Sequence, residues 1–254
     1  MPAAVLQQWA DVLPAGAQVF TPYGATEALP VCSVGSNELL VETRQRTAEG
    51  AGVCVGRAVE GARVAVIRIS DEAIPAWSEE LLAPPGEIGE IVVQGPMVTR
   101  EYYNRPDATR LAKIADPENG SFYHRMGDVG YCDDQGRLWF CGRKSHRVIT
   151  TDGTLFTIPC EAVFNAHPNV LRTALVGVGP SGAARPVLCV ELKENEKHAD
   201  REQVRRDLLA LGAARSHTNS ITTILFHPTF PVDIRHNAKI FREKLAVWAA
   251  RRLR

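Results

Sequence analysis

The sequence lacks several features that would assign it to a specialised class of protein. No Cys-x-x-Cys pair occurs among its 254 residues, and none of its six cysteines has a histidine partner at zinc-finger spacing, so a structural metal framework is not predicted. No apolar run approaches the roughly 18 to 20 residues that a membrane-spanning helix needs, and the first residues have neither the basic start nor the apolar core of a signal peptide. We therefore expect buried thiols, no membrane span and a cytoplasmic location.

An excess of charge of one sign is also missing. Lys plus Arg and Asp plus Glu each number 29, so no overall field draws the chain to nucleic acid or to an anionic membrane. With 45% hydrophobic and 23% charged residues, the composition is that of a soluble globular protein with one large domain or two smaller ones. Small molecules are the expected partners.

Hydrophobic periodicity changes near residues 142 to 146. Between about residues 50 and 141, short apolar or alternating runs are cut by Gly and Pro, which predicts small β-sheets or a barrel-like subdomain. Beyond this point helical and strand-like patterns mix, and the chain ends in a basic amphipathic segment, 238–254, that indicates a helix. A domain border near residue 144 follows.

Five segments carry residues suited to chemistry. The first, FTPYGATEALPV (20–31), places an aromatic ring, a flexible turn, a hydroxyl and a carboxylate within five positions, and taken alone it fits an ordinary surface turn. The other four are GEIGEIVVQGPMVTREYYNRPDAT (86–109), FYHRMGDVGYCDDQGRLWFCGRK (122–144), HPNVLRTALVGVG (167–179) and PVDIRHNAKIFREKL (231–245).

In this order, the five segments resemble the later core motifs of the adenylate-forming acyl-CoA synthetase superfamily, over essentially the whole chain. The resemblance implies an α/β fold: the C-terminal part of the large adenylate-forming domain, a mixed sheet plus a β-barrel-like subdomain, over 1–144, then a small, mobile α+β lid domain over 145–254. It also implies activation of a carboxylic acid by attack on the α-phosphorus of ATP, giving acyl-AMP and pyrophosphate.

The resemblance assigns roles within the first segment. Tyr23 and Gly24 would line the adenine side of ATP, and the hydroxyl of Thr26 would reach the α-phosphate. Glu27 would hold Mg²⁺, which prefers oxygen ligands and commonly takes one or two carboxylates plus phosphate oxygens.

Later residues receive roles in the same way. Asp128 would accept both ribose hydroxyls, although an Asp between glycines is also common in solvated turns, and Arg143 would contact the same sugar. Lys239 would meet the substrate carboxylate and the α-phosphate, where charge develops during adenylation; otherwise it is a solvated surface lysine. Ser145 would be the hinge of the lid, at a position where the family usually has Asp or Lys.

Departures from the family pattern indicate a branch. The segment after the hinge, residues 147–164, keeps Gly153, Pro159 and Glu161 but lacks the Arg that helps CoA ligases bind phosphate, which puts CoA use in question. The segment around Lys239 resembles the branch that closes 2-alkyl-3-hydroxy fatty acids to β-lactones in olefin biosynthesis. That branch implies a fatty acyl substrate and, as further partners, other olefin-pathway enzymes. His146 is a candidate base for the hydroxyl, but a surface role is the stronger expectation.

The family's Ser/Thr/Gly-rich phosphate loop does not occur in these residues. We therefore expect a piece of a longer enzyme that does not adenylate a substrate by itself. Two alternatives to the β-lactone interpretation stay open: a long-chain fatty acid–CoA ligase, and a non-catalytic nucleotide-binding or interaction fragment.

Overall fold

The chain folds into two compact units. The computed structural model describes residues 3–197, 199–233 and 236–254. One unit holds the residues up to Thr47 together with Gly52–Lys144, and the other holds Ala48–Ala51 together with Ser145–Arg254. That the second unit is a mobile lid stays a prediction.

The first unit is built on antiparallel strands. These are β1 (Phe20–Ala25), β2 (Ala28–Gly35), β3 (Val53–Ala58), β4 (Arg63–Ile67), β5 (Gly89–Gln94), β6 (Lys113–Asp116), β7 (Ser121–Cys132) and β8 (Leu138–Arg143). Its helical segments are α1 (Ala3–Val12), a π-helical segment (Glu38–Thr43), α2 (Arg44–Ala48), a 3-10 turn (Glu79–Leu81) and α3 (Pro106–Ala112).

These strands form one continuous sheet in the order β1-β2-β3-β8-β7-β5-β4, with β6 paired to β7. The link between the β1–β2 hairpin and the remaining strands is short, because β2 pairs with β3 only at Cys32↔Ala58 and Ser33↔Arg57. The β-rich region that the sequence predicts is therefore a single eight-stranded sheet.

The residues of strand β5 show that both faces of this sheet are covered. Three successive residues, Ile91, Val92 and Val93, are fully buried, although successive side chains of a strand point to opposite faces. Ile91 and Val93 pack in one apolar cluster, while Val92 packs in another that contains Trp77 and Tyr123. The Trp77 and Tyr123 rings stack with centroids 4.1 Å apart.

A buried ion network lies at the end of the first unit. The side chains of Glu90 and Arg125 are 1% and 3% exposed, and Arg125 Nη2 lies 2.7 Å from Glu90 Oε2. The ammonium of Lys144 lies 3.0 Å from Glu90 Oε1, and both cations also donate to the carbonyl of Ser70. The Glu90 carboxylate thus pairs with two cations, and the Ser70 carbonyl accepts further hydrogen bonds from both of them.

The second unit has a three-stranded sheet of β11 with β12, antiparallel, and β12 with β13, parallel. Its strands are β9 (Val148–Thr150), β10 (Gly153–Leu155), β11 (Val170–Val178), β12 (Arg185–Leu192), β13 (Thr223–Phe226), β14 (Val232–Asp233) and β15 (His236–Ile240). Its helices are α4 (Thr157–Asn165), α5 (Arg201–Ala213) and α6 (Arg242–Arg252), with 3-10 turns at Lys144–His146 and Glu194–Glu196.

Glu161 of α4 joins three elements of this unit. Its Oε1 accepts a hydrogen bond of 2.7 Å from the backbone N–H of Leu175 in β11. Both of its oxygens accept from the guanidinium of Arg242 at the start of α6, with Nη2 2.9 Å from Oε2. The buried carboxylate is therefore paired and hydrogen-bonded, as a charge in an apolar environment requires.

The C-terminal helix begins later than the sequence periodicity indicates. Residues 238–240, which we assigned to the helix, belong to β15, because Ile240 pairs with Val232 across a hairpin. Helix α6 starts at Arg242, after Phe241.

The cysteines are free thiols, and five of the six are buried. Burial raises the pKa of Cys32, Cys160 and Cys189 to about 12. Cys132 is only half-buried, where β7 ends at a turn. Among the described residues, no helix combines the length and the apolarity needed to cross a membrane.

The turn between β7 and β8 generates a stability prediction. Asp133 accepts hydrogen bonds from Trp139 Nε1 at 2.9 Å and from Arg137 Nε at 2.8 Å. Burial acts to raise the pKa of Asp133, but these donors outweigh it and hold the pKa at about 2. The folded state therefore binds the proton less tightly than the unfolded state, so the stabilisation is present above the ordinary pKa and is lost as the pH falls toward 2.

We expect Asp133→Asn to lower the free energy of unfolding by roughly 2 kcal/mol at neutral pH, and by progressively less between about pH 4 and pH 2. Urea unfolding at neutral and acidic pH measures this. Asp134→Asn is the matched control, because Asp134 is the exposed neighbour, and it should leave stability unchanged. An Asp133→Asn loss that does not depend on pH would contradict the assignment.

Candidate functional site

The β1–β2 hairpin presents the first group of predicted site residues. Ala25 pairs with Ala28, so Thr26 and Glu27 form the turn between the strands. A Cβ atom at Gly24 would lie 2.4 Å from the carbonyl oxygen of Ala28. This distance is too short for any side chain, so only glycine fits here. The tight approach of the two strands explains the glycine, and it leaves Thr26 exposed and Glu27 half-buried at the tip.

Two other predicted residues, Tyr23 and Arg143, contact the carboxylate of a third, Asp128. The hydroxyl of Tyr23 donates to Asp128 Oδ2 at 2.7 Å. Asp128 and Arg143 are cross-strand partners in β7 and β8, and Arg143 Nη1 lies 2.9 Å from Asp128 Oδ1. Their exposure differs sharply: the side chain of Asp128 is 5% exposed and that of Arg143 is 53% exposed.

The Asp128 carboxylate retains acceptor capacity. Its Oδ1 is buried and receives no directed hydrogen bond from the described residues, because the nearby Arg143 guanidinium makes an ion pair without hydrogen-bond alignment. Burial raises the pKa of Asp128, while the charge of Arg143 and the hydrogen bond from Tyr23 act to lower it. Burial beside this carboxylate also raises the pKa of Tyr23, which keeps the phenol protonated as a donor. A buried acceptor of this kind fits a ligand that brings hydroxyl donors, such as a ribose.

Glu27 has a different environment. The hydroxyl of Tyr102 donates to Glu27 Oε1 at 2.9 Å, and the backbone N–H of Thr99 donates to the Glu27 carbonyl at 2.8 Å. Partial burial acts to raise the pKa of Glu27, but hydrogen bonds from its own backbone and from Tyr102, with nearby Lys113, outweigh it and the pKa is lowered. Glu27 is therefore anionic at neutral pH.

Lys113 and His124 are cross-strand partners next to this carboxylate. Burial lowers the pKa of Lys113 to about 8, and the charge of Glu27 opposes the change. Burial, with the charge of Lys113, lowers the pKa of His124 to about 4. His124 is therefore uncharged at neutral pH, its Nδ1–H donating to the Ala112 carbonyl at 3.2 Å, and Lys113 is the cationic neighbour of Glu27.

The residues around Glu27 fit a Mg²⁺ ion only if most of its ligands come from outside the protein. No three His, Cys, Asp or Glu side chains converge within the described part of the chain to hold a metal. A single carboxylate that stays ionised matches a Mg²⁺ ion held by one protein oxygen, by phosphate oxygens and by water. Such an ion would arrive with a nucleotide.

The remaining predicted residues lie in the second unit. Lys239 is exposed on β15, and Ser145 is the exposed first residue after the division between the units. His146 is half-buried in the 3-10 turn Lys144–His146. The side chains of His236 and Asn237, which flank the lysine motif, lie outside the described part of the structure.

Sequence reasoning missed the neighbours of Glu27. Tyr102, Lys113 and His124 lie in or beside the quoted segments, but they reach Glu27 only through strand pairing and a long loop. Thr99 and Glu27, for example, are 72 positions apart in the chain and are joined backbone to backbone. No local pattern announces such contacts; the only signal was the aromatic pair in REYYNRP.

Comparison with known proteins identifies the family. Residues 1–103 match the AMP-binding enzyme family. The chain is 53% identical over 253 residues, 98% of its length, to olefin beta-lactone synthetase of Xanthomonas campestris pv. campestris, and 52% identical over 256 residues to the protein of the same name in Stenotrophomonas maltophilia. The chain belongs to the AMP-binding enzyme family. The family prediction is confirmed.

A more distant relative and two solved structures support the same fold. The chain is 30% identical over 187 residues, 71% of its length, to 2-succinylbenzoate–CoA ligase of Bacillus cereus, covering 34% of that relative. The amide bond synthetase McbA of Marinactinospora thermotolerans, at 24% identity, matches 97% of the chain with a TM-score of 0.73 over 44% of its own length. An ATP-bound RpMatB-BxBclM chimera, also 24% identical, matches 98% of the chain with a TM-score of 0.72. The α/β fold prediction is confirmed.

The chain spans less than half the length of its curated relatives, 45% and 46% of the two olefin beta-lactone synthetases. The activity of a whole enzyme is therefore a matter for proposal, and the roles of the individual site residues stay predictions.

The Tyr23–Asp128 contact generates a prediction. Tyr23→Phe leaves Asp128 Oδ2 buried without its donor, and an unsatisfied buried acceptor costs about 1–3 kcal/mol. We expect a loss of stability of that size in urea unfolding. In an Asp128→Asn background the same substitution should cost measurably less, because the cycle isolates the pair. Tyr103→Phe is the control, since Tyr103 is 88% exposed; equal losses from the two tyrosine substitutions would contradict the assignment.

Proposed function

We propose that the chain forms the nucleotide-contacting part and the lid of an ATP-dependent ligase. The ligase adenylates a fatty acid carboxylate, and its substrate is a 2-alkyl-3-hydroxy fatty acid that it then closes to a β-lactone. One observation carries the proposal. Tyr23 and Arg143 both contact the carboxylate of Asp128, and Glu27 lies at the tip of the hairpin that carries Tyr23.

The first half-reaction uses these residues in defined roles. Tyr23 and Gly24 line the adenine, Asp128 accepts from the ribose hydroxyls, and Arg143, with its exposed guanidinium, contacts the sugar. Thr26 donates its hydroxyl to the α-phosphate. The Asp128 assignment has the strongest physical support, since its buried Oδ1 is ion-paired with Arg143 but accepts no directed hydrogen bond from the described residues.

Charge development governs the transfer step. A carboxylate oxygen of the fatty acid forms a bond to the α-phosphorus of ATP while the bond from that phosphorus to the pyrophosphate oxygen breaks. The ammonium of Lys239 stabilises the charge on the transferring group, and a mobile unit that pivots near Ser145 delivers it. Glu27 would hold Mg²⁺ together with phosphate oxygens, and the ion would supply positive charge against the phosphates.

The second half-reaction needs no further substrate. The 3-hydroxyl oxygen attacks the acyl carbonyl carbon, the hydroxyl proton passes to a base or water, and AMP leaves. Intramolecular attack replaces a second reactant by proximity, which can reach effective molarities of about 10⁵ M, reduced here by four-ring strain. Likeness to two olefin beta-lactone synthetases supports this outcome.

A long-chain fatty acid–CoA ligase is the second candidate. It shares the first half-reaction, and the 30% identity to 2-succinylbenzoate–CoA ligase favours it. Against it, residues 147–164 lack the phosphate-binding Arg that follows the glycine in CoA ligases. The Glu161 that this segment keeps has a structural explanation, since it pairs with Arg242 inside the second unit, so its retention does not indicate a CoA site.

The partners follow from the proposed substrates. ATP and a fatty acyl chain bind at the site, other olefin-pathway enzymes supply or consume the acyl intermediates, and the cytoplasm is the compartment. A non-catalytic nucleotide-binding or interaction fragment would show ATP binding without turnover.

Product analysis tests the proposed function. The chain is assayed alone and fused to the remaining part of the Xanthomonas campestris relative, with Mg-ATP and a 2-alkyl-3-hydroxy fatty acid, with and without CoA. We expect mass spectrometry to detect a β-lactone without CoA in the fused protein and no turnover by the chain alone. A thioester that forms only with CoA would overturn the β-lactone proposal and leave the CoA ligase.

Lys239 provides a second test. In the fused protein, Lys239→Ala should lower kcat for adenylation about 100-fold or more, the cost of removing one transition-state donor, with little change in ATP affinity. Pyrophosphate release measures kcat. Lys244→Ala removes an exposed lysine five positions further on and should have no effect. Equal activity in both variants would remove Lys239 from the mechanism.

A further inference from the structure

Tyr102 holds the carboxylate of Glu27 by a contact that the family resemblance did not supply. Its hydroxyl donates to Oε1 at 2.9 Å across 75 positions of sequence. Glu27 lies at the tip of a hairpin, where a carboxylate on a flexible side chain would otherwise sample several rotamers. The hydrogen bond selects among them.

Both residues in this contact are fixed through their backbones. The N–H of Tyr102 donates to Thr109 Oγ1 at 3.0 Å, and its carbonyl accepts from the N–H of Arg105 at 3.1 Å. On the other side, the Glu27 carbonyl accepts from the N–H of Thr99 at 2.8 Å. Thr99 and Tyr102 are three residues apart, so one loop fixes the backbone of Glu27 and presents the phenol to its side chain.

Lys113 does not compete for this role. Its ammonium donates to the carbonyl of Thr99, so it braces the loop and adds positive charge near Glu27. The phenol of Tyr102 is the neutral donor in direct contact with the carboxylate, and a neutral donor can remain in place when a cation binds.

We propose that Tyr102 is a positioning residue that makes Glu27 a one-oxygen ligand for Mg²⁺. The proposal rests on the proposed function, in which Glu27 holds the metal that accompanies ATP. Tyr102 engages Oε1, so the cation would take the other oxygen, Oε2. Mg²⁺ requires near-ideal octahedral geometry, which one carboxylate oxygen satisfies, whereas Ca²⁺ accepts both oxygens of one carboxylate in larger, irregular shells. Tyr102 therefore contributes to metal affinity and to discrimination between the two ions.

Metal titration of the fused protein tests this inference without relying on turnover. The probes are Mn²⁺, followed by electron paramagnetic resonance with a non-hydrolysable ATP analogue, and Mg²⁺ or Ca²⁺ as competitors. We expect Tyr102→Phe to weaken Mn²⁺ and Mg²⁺ binding about 10-fold or more, as removal of an outer hydrogen-bond partner of a metal ligand does. Ca²⁺ binding should weaken less, so the preference for Mg²⁺ over Ca²⁺ falls. A defect that merely loosened the fold would weaken all three alike.

Controls separate this inference from the function on which it rests. Tyr103→Phe changes the exposed neighbour and should leave all affinities unchanged. Glu27→Gln should weaken metal binding, and Tyr102→Phe should add nothing to it. If Glu27→Gln has no effect, the proposed metal role of Glu27 is wrong, and this inference with it. If Glu27→Gln weakens binding while Tyr102→Phe changes neither affinity nor ion preference, only the role of Tyr102 is overturned.

Discussion

The hydrogen bond from Tyr23 to Asp128 ties the N-terminal hairpin to the strands that end the first unit. The partners are 105 positions apart, and the bond reinforces a short strand junction, because β2 pairs with β3 at two positions. A buried carboxylate needs donors, and a phenol at a sheet edge needs an acceptor. Each group supplies what the other lacks, and the pairing places the turn residues Thr26 and Glu27 relative to β7 and β8.

A second constraint acts at the other end of the same unit. Lys144, the last residue before the division of the chain, is bound to the buried Glu90, whose charge is shared with Arg125. A cation placed between a carboxylate and the Ser70 carbonyl fixes the end of the strand that carries Arg143. If Ser145 is the pivot, as we predict, this anchor confines rotation to the backbone after Lys144 and leaves the ribose contact undisturbed. The ribose-contacting Arg143 and the hinge at Ser145 would then be separated by one residue, Lys144.

The sequence predicted what local pattern can encode. The turn at Gly24 and the β-rich character of residues 50–141 follow from residue types and their spacing, whereas the shared ribose role of Asp128 and Arg143 came from the family resemblance. Contacts set by tertiary register could not be predicted: Tyr102 reaches Glu27 through a long loop. Residues Ala48–Ala51 belong with the second unit, where Gly50 lies so near His217 that a Cβ would come within 2.4 Å of its Nε2. The late start of α6 has the same origin, because pairing of Ile240 with Val232 overrides helical periodicity.

The two carboxylates of the candidate site differ because their surroundings differ. Asp128 is buried, its pKa is raised, and it accepts from one phenol and is ion-paired with one guanidinium. Glu27 is half-buried, its pKa is lowered, and hydrogen bonds together with Lys113 favour its anion. The first environment suits neutral hydroxyl donors, because a desolvated acceptor gains most from a hydrogen bond that brings no extra charge. The second suits a cation, because the anion persists and the backbone around it is fixed. Placing a nucleotide's sugar at one and its metal at the other requires no residue beyond those that the fold already holds in position.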